Sequence, residues 1–322
     1  MRVLLLIVLL TTAARAADVA PLTFADGAQL FLLGAHSDPA LVAQLEEQHR
    51  RCTSTTSTST TSTTTSTTAE ACRVRGLLGT MYARDQKAAA LALDLYARTG
   101  TIAGVLPELD MDGAYRGQLH LVPTLPIGAE RRHLELASAA LFDLDDFFHR
   151  LGGDVAFRWR PLGLRFFESV KRRTPSAFAV GWTVSYNVRG SLFTTPTRVR
   201  ETFFHEVFHL NDQARGDWSA KALSSIYDRI VAVCGQKTAC LTPWAPDGIK
   251  VRGGTYYAFM PDNGVREYAA DLAKRWYIEH RAVLHGERVR QPFKCGKPEN
   301  AAAWKLLVDE FFGGIDRVPA CG

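Results

Sequence analysis

Pro196-Thr197-Arg198-Val199-Arg200-Glu201-Thr202-Phe203-Phe204-His205-Glu206-Val207-Phe208-His209-Leu210-Asn211 is the most informative stretch of the 322-residue chain. Thr195 precedes it as an N-cap, and Pro196 takes the first helical position, where a missing N–H costs nothing. Val199, Phe203, Val207 and Leu210 recur at helical spacing and give the segment an apolar surface to bury. A helix over Pro196–Asn211 is therefore expected. At 3.6 residues per turn His205 and His209 lie about 40° apart on it, so both imidazoles can reach one point. Glu206 projects beside them. Two histidines four apart with a glutamate after the first suit a divalent metal, zinc above all. The carboxylate then stands next to the ion rather than on it.

A zinc site of this kind needs a third protein ligand and an open position. A second helix, expected over Val265–Leu284, carries Glu267 and Asp271 four apart on one face, with small Ala269 and Ala270 between them. Together the two segments, over about Thr195–Tyr277, resemble the gluzincins, the thermolysin-like clan of zinc metallopeptidases. In that clan the glutamate of an ExxxD pair is the third ligand, and the aspartate accepts a hydrogen bond from a ligand histidine. The metzincins are excluded, because Asp212 and Arg215 stand where that family has Gly and His. The resemblance implies a zincin-like catalytic region with Zn2+ on His205, His209 and Glu267, and Asp271 behind one histidine. It implies peptide-bond hydrolysis by a metal-activated water with Glu206 as general base.

Asp262 stays open as an alternative ligand, as in the aspartate-ligated zincins, whose Gly-Thr motif Gly254-Thr255 partly echoes. Weaker similarity to lethal-factor-type peptidases rests on Asp212, three residues after the second histidine, and on a tyrosine ahead of the ligand glutamate. It would make Tyr257 the stabiliser of the transition state. Tyr256 and Tyr257 read equally well as a half-buried aromatic pair. His280 and His285, five apart and about 140° round a helix, do not form a second metal pair. By analogy with zincins, Phe178–Asn187 stands where an edge strand pairs with extended substrate.

Arg2, the apolar run Val3–Leu10 and the small residues Ala14 and Ala16 read as a secretory signal cleaved after Ala16. The apolar run is far shorter than the roughly 20 residues of a spanning helix. A secreted or periplasmic protein with no membrane span is expected. Six cysteines then suggest disulfides, paired by sequence proximity as Cys52–Cys72, Cys234–Cys240 and Cys295–Cys321. Without a Cys-x-x-Cys pair, a cysteine zinc site is the weaker reading.

Thr53–Thr68 holds only Ser and Thr and has no apolar face to repay ordering, so an exposed irregular loop is expected between Cys52 and Cys72. An O-glycosylated segment is the alternative. Helices are also expected over Arg84–Arg98, Ala129–Leu151 and Glu299–Phe312, and strands over Asp154–Trp159 and Phe178–Tyr186. Leu162–Arg172 fits either state.

Helices mixed with a few strands, without strict alternation, argue α+β: a mainly helical N-terminal region ahead of the zincin-like one. The expected organisation is a signal peptide (1–16), an N-terminal segment with the Ser/Thr loop (17–75) and a mixed helical region (76–175). A metallopeptidase core (176–290) and a C-terminal helix with a disulfide-linked tail (291–322) follow. Whether 17–75 contains a propeptide stays open. With 47% hydrophobic and 22% charged residues the composition is ordinary for a globular chain. The net charge of +5 is too weak and too dispersed to argue for nucleic acid. A peptide or protein substrate is the expected partner. The alternative from another class is a catalytically inactive exported zinc-binding or adhesion protein that keeps HExxH structurally.

Overall fold

The computed structural model describes residues 19–34, 37–54, 62–113, 117–245, 248–251, 254–260 and 264–322. The expected signal peptide and Asp262 lie outside them. The architecture is mixed α+β. Four helices come first: α1 (Phe24–Leu30), α2 (Pro39–Ser54), α3 (Ser62–Met81) and α4 (Gln86–Thr99). Strands β1 (Ile102–Val105), β2 (Leu109–Asp112) and β3 (Gln118–Pro123) lead to α5 (Arg131–Leu151). Then come β4 (Gly163–Ser169), β5 (Ala177–Val180), β6 (Thr183–Asn187) and α6 (Pro196–Ala214). The chain ends with α7 (Trp218–Ala222), α8 (Ser224–Cys234), α9 (Thr238–Leu241), α10 (Gly264–Leu284) and α11 (Pro298–Phe311).

One sheet runs in the order β2-β3-β4-β6-β5. β4 is its centre. One of its edges pairs in parallel with β6, and the other is divided between parallel β1 and antiparallel β3. Burial on both faces removes the polar–apolar alternation that marks a strand, which is why Leu162–Arg172 is ambiguous as sequence. Leu164, Phe166, Val184 and Tyr186 join the main core with the helices, while Phe167 packs with Leu106, Leu119 and Leu121 in a small separate cluster. The main cluster includes residues from Leu30 to Val318.

α6 lies against β5 and β6, with α5 and α10 packed on it. Its neighbours explain why its apolar surface is so broad. Phe203 meets Tyr186 of the sheet, Phe204 stacks on Tyr277 of α10 at 4.5 Å, and Phe208 meets Phe311 of α11 at 5.1 Å. The helix starts as expected: the Thr195 hydroxyl accepts from the Arg198 N–H at 3.2 Å, and Pro196 follows.

Three expectations need correction. Asp154–Trp159 is not a strand, although Phe157 is buried between Phe148 and Phe204. Side chains of α6 take its backbone bonds: Asn211 accepts from the Arg158 N–H and donates to the Arg158 carbonyl, both at 2.8 Å, and Arg215 donates to the Ala156 carbonyl. Phe178–Tyr186 is not one strand but the hairpin β5–β6. Gly181 and Trp182, at φ 57° and 59°, form its two-residue turn, and left-handed backbone at both positions matches the twist of the flanking strands. The Ser/Thr stretch is not wholly irregular. α2 runs to Ser54 and α3 begins at Ser62, since extending an existing helix costs far less than nucleating one.

All three expected disulfides are present, with Cα separations of 5.7 Å for Cys52–Cys72, 5.4 Å for Cys234–Cys240 and 5.2 Å for Cys295–Cys321. The first joins α2 to α3, the second α8 to α9, and the third ties the C-terminal tail to a turn before α11. Such bonds persist in oxidising compartments. No helix among the described residues is long and apolar enough to cross a membrane.

Candidate metal centre

His205 and His209 sit one turn apart on α6 and face Glu267, in the first turn of α10. Ala269, Ala270 and Ala273 are fully buried, and small side chains there let the two helices approach closely. The Nε2 atoms of the histidines are 3.1 Å apart. Glu267 Oε2 is 3.1 Å from His205 Nε2, and its Oε1 is 3.6 Å from His209 Nε2. Ligands at 2.0–2.2 Å from a tetrahedral ion would stand roughly 3.3–3.6 Å from one another; the 3.6 Å pair matches that spacing and the two 3.1 Å pairs lie just inside it. Among the described residues this is the one group of three His, Cys, Asp or Glu side chains able to converge on a metal.

The donor set makes the same point chemically. Asp271, one turn after Glu267, places Oδ1 3.4 Å from His205 Nδ1, and Lys274 Nζ holds that oxygen at 2.6 Å. A carboxylate facing Nδ1 favours the Nδ1–H tautomer, which leaves Nε2 with a lone pair. His205 Nε2 and the facing Glu267 carboxylate oxygen then meet as acceptors, and a cation between them reconciles the pair. In the metal-free protein a proton plays that part. Burial opposes charge on His205, but hydrogen bonds to Asp271 and Glu267 outweigh it and push its pKa up to about 10. Burial likewise works against ionised Glu267, yet bonds to both histidines hold its carboxyl below the usual range. Asp271 is also held low, despite burial, chiefly by the Lys274 ammonium. Metal binding should therefore displace protons.

Glu206 is 8% exposed, and burial raises its pKa against the opposing pull of His205 and His209. A carboxylate destabilised in its charged form is a better proton acceptor than one in water. The ligand side chains retain some exposure, 15% for each histidine and 20% for Glu267, so the cluster is open to solvent on one side. Closed structural zinc sites fill four positions with protein ligands; three side chains converge here.

The other sequence candidates are placed differently. Tyr256 is buried, with its hydroxyl 3.0 Å from that of Thr242. Tyr257 opens a short 3-10 turn, Tyr257–Phe259, that packs on α10 through Phe259 and Tyr268. Asp212 accepts from the Ser219 N–H and hydroxyl at 2.8 and 2.6 Å and so secures the chain after α6. His280 is buried and stacks on Trp276. Sequence reasoning missed Lys274, whose spacing three residues after Asp271 was a readable signal. It also missed Asp143 of α5, which binds Tyr277 and Arg281 of α10 and braces the ligand helices from behind.

The chain matches no protein-family model, and neither a curated protein nor a solved structure is significantly similar to it. The functional reading therefore rests on the site itself.

Proposed function

We propose that the protein is an exported, zinc-dependent metallopeptidase of gluzincin type, with a zincin-like core formed by the sheet, α6 and α10. The observation that carries this reading is the convergence of His205, His209 and Glu267 beside a buried Glu206, on a side left open to solvent. When bound, zinc would polarise the scissile carbonyl and offset the charge that develops on its oxygen. The chain's own residues do the rest. Glu206 takes the proton of the attacking water and passes it to the leaving amine. Asp271, steadied by Lys274, orients His205. Tyr257, on a turn packed against α10, is the proposed hydroxyl donor to the oxyanion. The strand β5, with Val180 59% exposed, lies against α6, ends the sheet among the described residues and offers its outer backbone edge to an extended peptide. The three disulfides support an extracellular or periplasmic setting.

The deciding experiment compares wild type with Glu206→Gln on a mixture of unstructured peptides, with zinc content measured in parallel. The variant should keep one zinc per chain and lose about 10²–10⁴-fold in turnover. Equal turnover by both proteins would refute the mechanism. Absence of turnover in zinc-loaded wild type would leave a structural zinc-binding protein.

A further inference from the structure

A cavity of about 510 Å³ lies apart from the metal cluster, and none of its lining residues belongs to that cluster. Its walls come from the first half of α5, the end of β4, the turn after it and the loop that leads into α6. The lining is strongly basic: Arg132, Lys171, Arg172, Arg173 and Arg189 against the single carboxylate of Glu168. Arg189 lies between two carboxylates, 3.0 Å from Glu130 and 3.3 Å from Glu168, so one negative charge is left over beside the other cations. The other four cations have no ion pair among the described residues.

Two local features shape this lining. Lys171 adopts φ 55°, a left-handed conformation that residues with side chains avoid, and the Arg172 N–H closes the turn on the Ser169 carbonyl at 3.1 Å. Arg132 is fixed along one edge, its Nε donating to His133 Nε2 at 3.2 Å, with Glu130 3.3 Å from the same ring nitrogen. Burial, aided by Arg132, pushes the His133 pKa down to about 4, so the ring is neutral and can accept that bond. Among the described residues the terminal guanidinium nitrogens of Arg132 have no hydrogen-bond partner. Leu136, Val188 and Phe193 supply an apolar wall, the last stacked on Tyr186 at 3.9 Å.

We propose that this cavity binds a phosphate or sulfate monoester, with the tetrahedral oxyanion among Arg132, Lys171, Arg172 and Arg173 and the organic group against Leu136, Val188 and Phe193. Guanidinium forks match such oxyanions with paired hydrogen bonds. Four cations against the one negative charge that Arg189 leaves over repel one another, and a group with several anionic oxygens offsets more of that repulsion than a single carboxylate does. The volume exceeds what a bare ion fills, and the apolar wall has no role for one. The site stands independently of the peptidase reading.

Calorimetric titration of the full chain tests it, with phenyl phosphate and phenyl sulfate as probes and inorganic phosphate as the comparison, all at one ionic strength. At least one ester should bind saturably at one per chain and more tightly than inorganic phosphate; which ester binds tells phosphate from sulfate. Arg132→Gln, and separately the exposed triple variant Lys171→Gln, Arg172→Gln, Arg173→Gln, should each weaken it at least tenfold. The melting temperature of each variant reports whether it folds. Failure of both esters to saturate, equal affinity for inorganic phosphate, or unchanged affinity in the folded triple variant would overturn the proposal.

Discussion

Two charged clusters lie along α6 and α10, one of them centred on a carboxylate of α5, and they end differently. Around Asp143, the Arg281 guanidinium, the Tyr277 hydroxyl and, at 3.6 Å, Arg200 surround one carboxylate, whose two oxygens are both taken. Those contacts hold its pKa down even though burial alone would raise it. Around Glu267, by contrast, two carboxylates and two histidines have Lys274 as the one fixed positive charge, and an exchangeable proton on His205 supplies the second. A carboxylate balanced by its own fixed partners braces helices. One left unbalanced but for an exchangeable proton can trade that proton for a metal ion.

The largest effect should come from breaking the unbalanced cluster. His205→Ala removes one ligand, so bound zinc should fall from one per chain to near zero when the protein is dialysed against a weak chelator. Wild type should gain stability from added zinc, about 4 kcal/mol when free metal is a thousand times its dissociation constant, and the variant should gain almost none. A variant that retained stoichiometric zinc would show that the ion sits elsewhere.

Next in size is the balanced cluster. Asp143→Ala leaves two guanidinium groups and a buried hydroxyl facing each other, and partial exposure moderates the cost. We expect a loss of about 2 kcal/mol in denaturant unfolding, with zinc stoichiometry unchanged. An unchanged unfolding midpoint would mean the cluster braces nothing.

How legible each cluster was follows from the distances between partners along the chain. His205, Glu206 and His209 are neighbours on one helix, announced by Thr195 and Pro196, so the sequence displays them together. Glu267 is 62 residues from His205 and entered only through resemblance to a family. The partners of Asp143 are 134 and 138 residues away, with nothing local to connect them. Secondary structure divides in the same way. The periodic helices α4, α5, α6, α10 and α11, two of them capped by a side chain, were readable to within a few residues. Strands β1–β3 were not. They are short, and β2, Leu-Asp-Met-Asp, has the composition of a loop and becomes a strand through pairing with β3. The alternation in Asp154–Trp159 was real, but whether strands or side chains satisfy its backbone is decided by Asn211 and Arg215, more than fifty residues on.

A smaller effect should follow from loosening the unbalanced cluster without removing a ligand. Lys274→Met keeps the length of the side chain and takes away the ammonium that steadies Asp271. Loss of a partner behind a metal ligand usually costs 10–100-fold in affinity, and with Asp271 itself retained we expect about tenfold for zinc. Competition with a chromophoric chelator reads this directly. Unchanged affinity would make Lys274 a counter-charge for Asp271 with no bearing on the ion.

The smallest effect tests charge balance at a helix start, far from both clusters. Asp85 caps α4 by accepting from the Lys87 and Ala88 N–H groups, and it also accepts from the Gly128 N–H at 2.8 Å and from Arg131 at 2.7 Å. The backbone N–H groups of Gly128 and Ala88 contribute most to lowering its pKa, with Arg131 adding to them, and the result is about 2. An unfolded aspartate titrates near 3.9. The folded protein thus prefers the ionised form, and its stabilising contribution is complete above about pH 4 and is lost as pH falls through that window towards 2. Asp85→Asn keeps the shape and removes the charge. Its melting temperature should lie below that of wild type by a constant few degrees from pH 5 to 8, and the gap should narrow as the pH drops below 4. A gap that stayed constant down to pH 2.5 would mean that the amide fails for geometric reasons and that charge on Asp85 adds nothing to the cap.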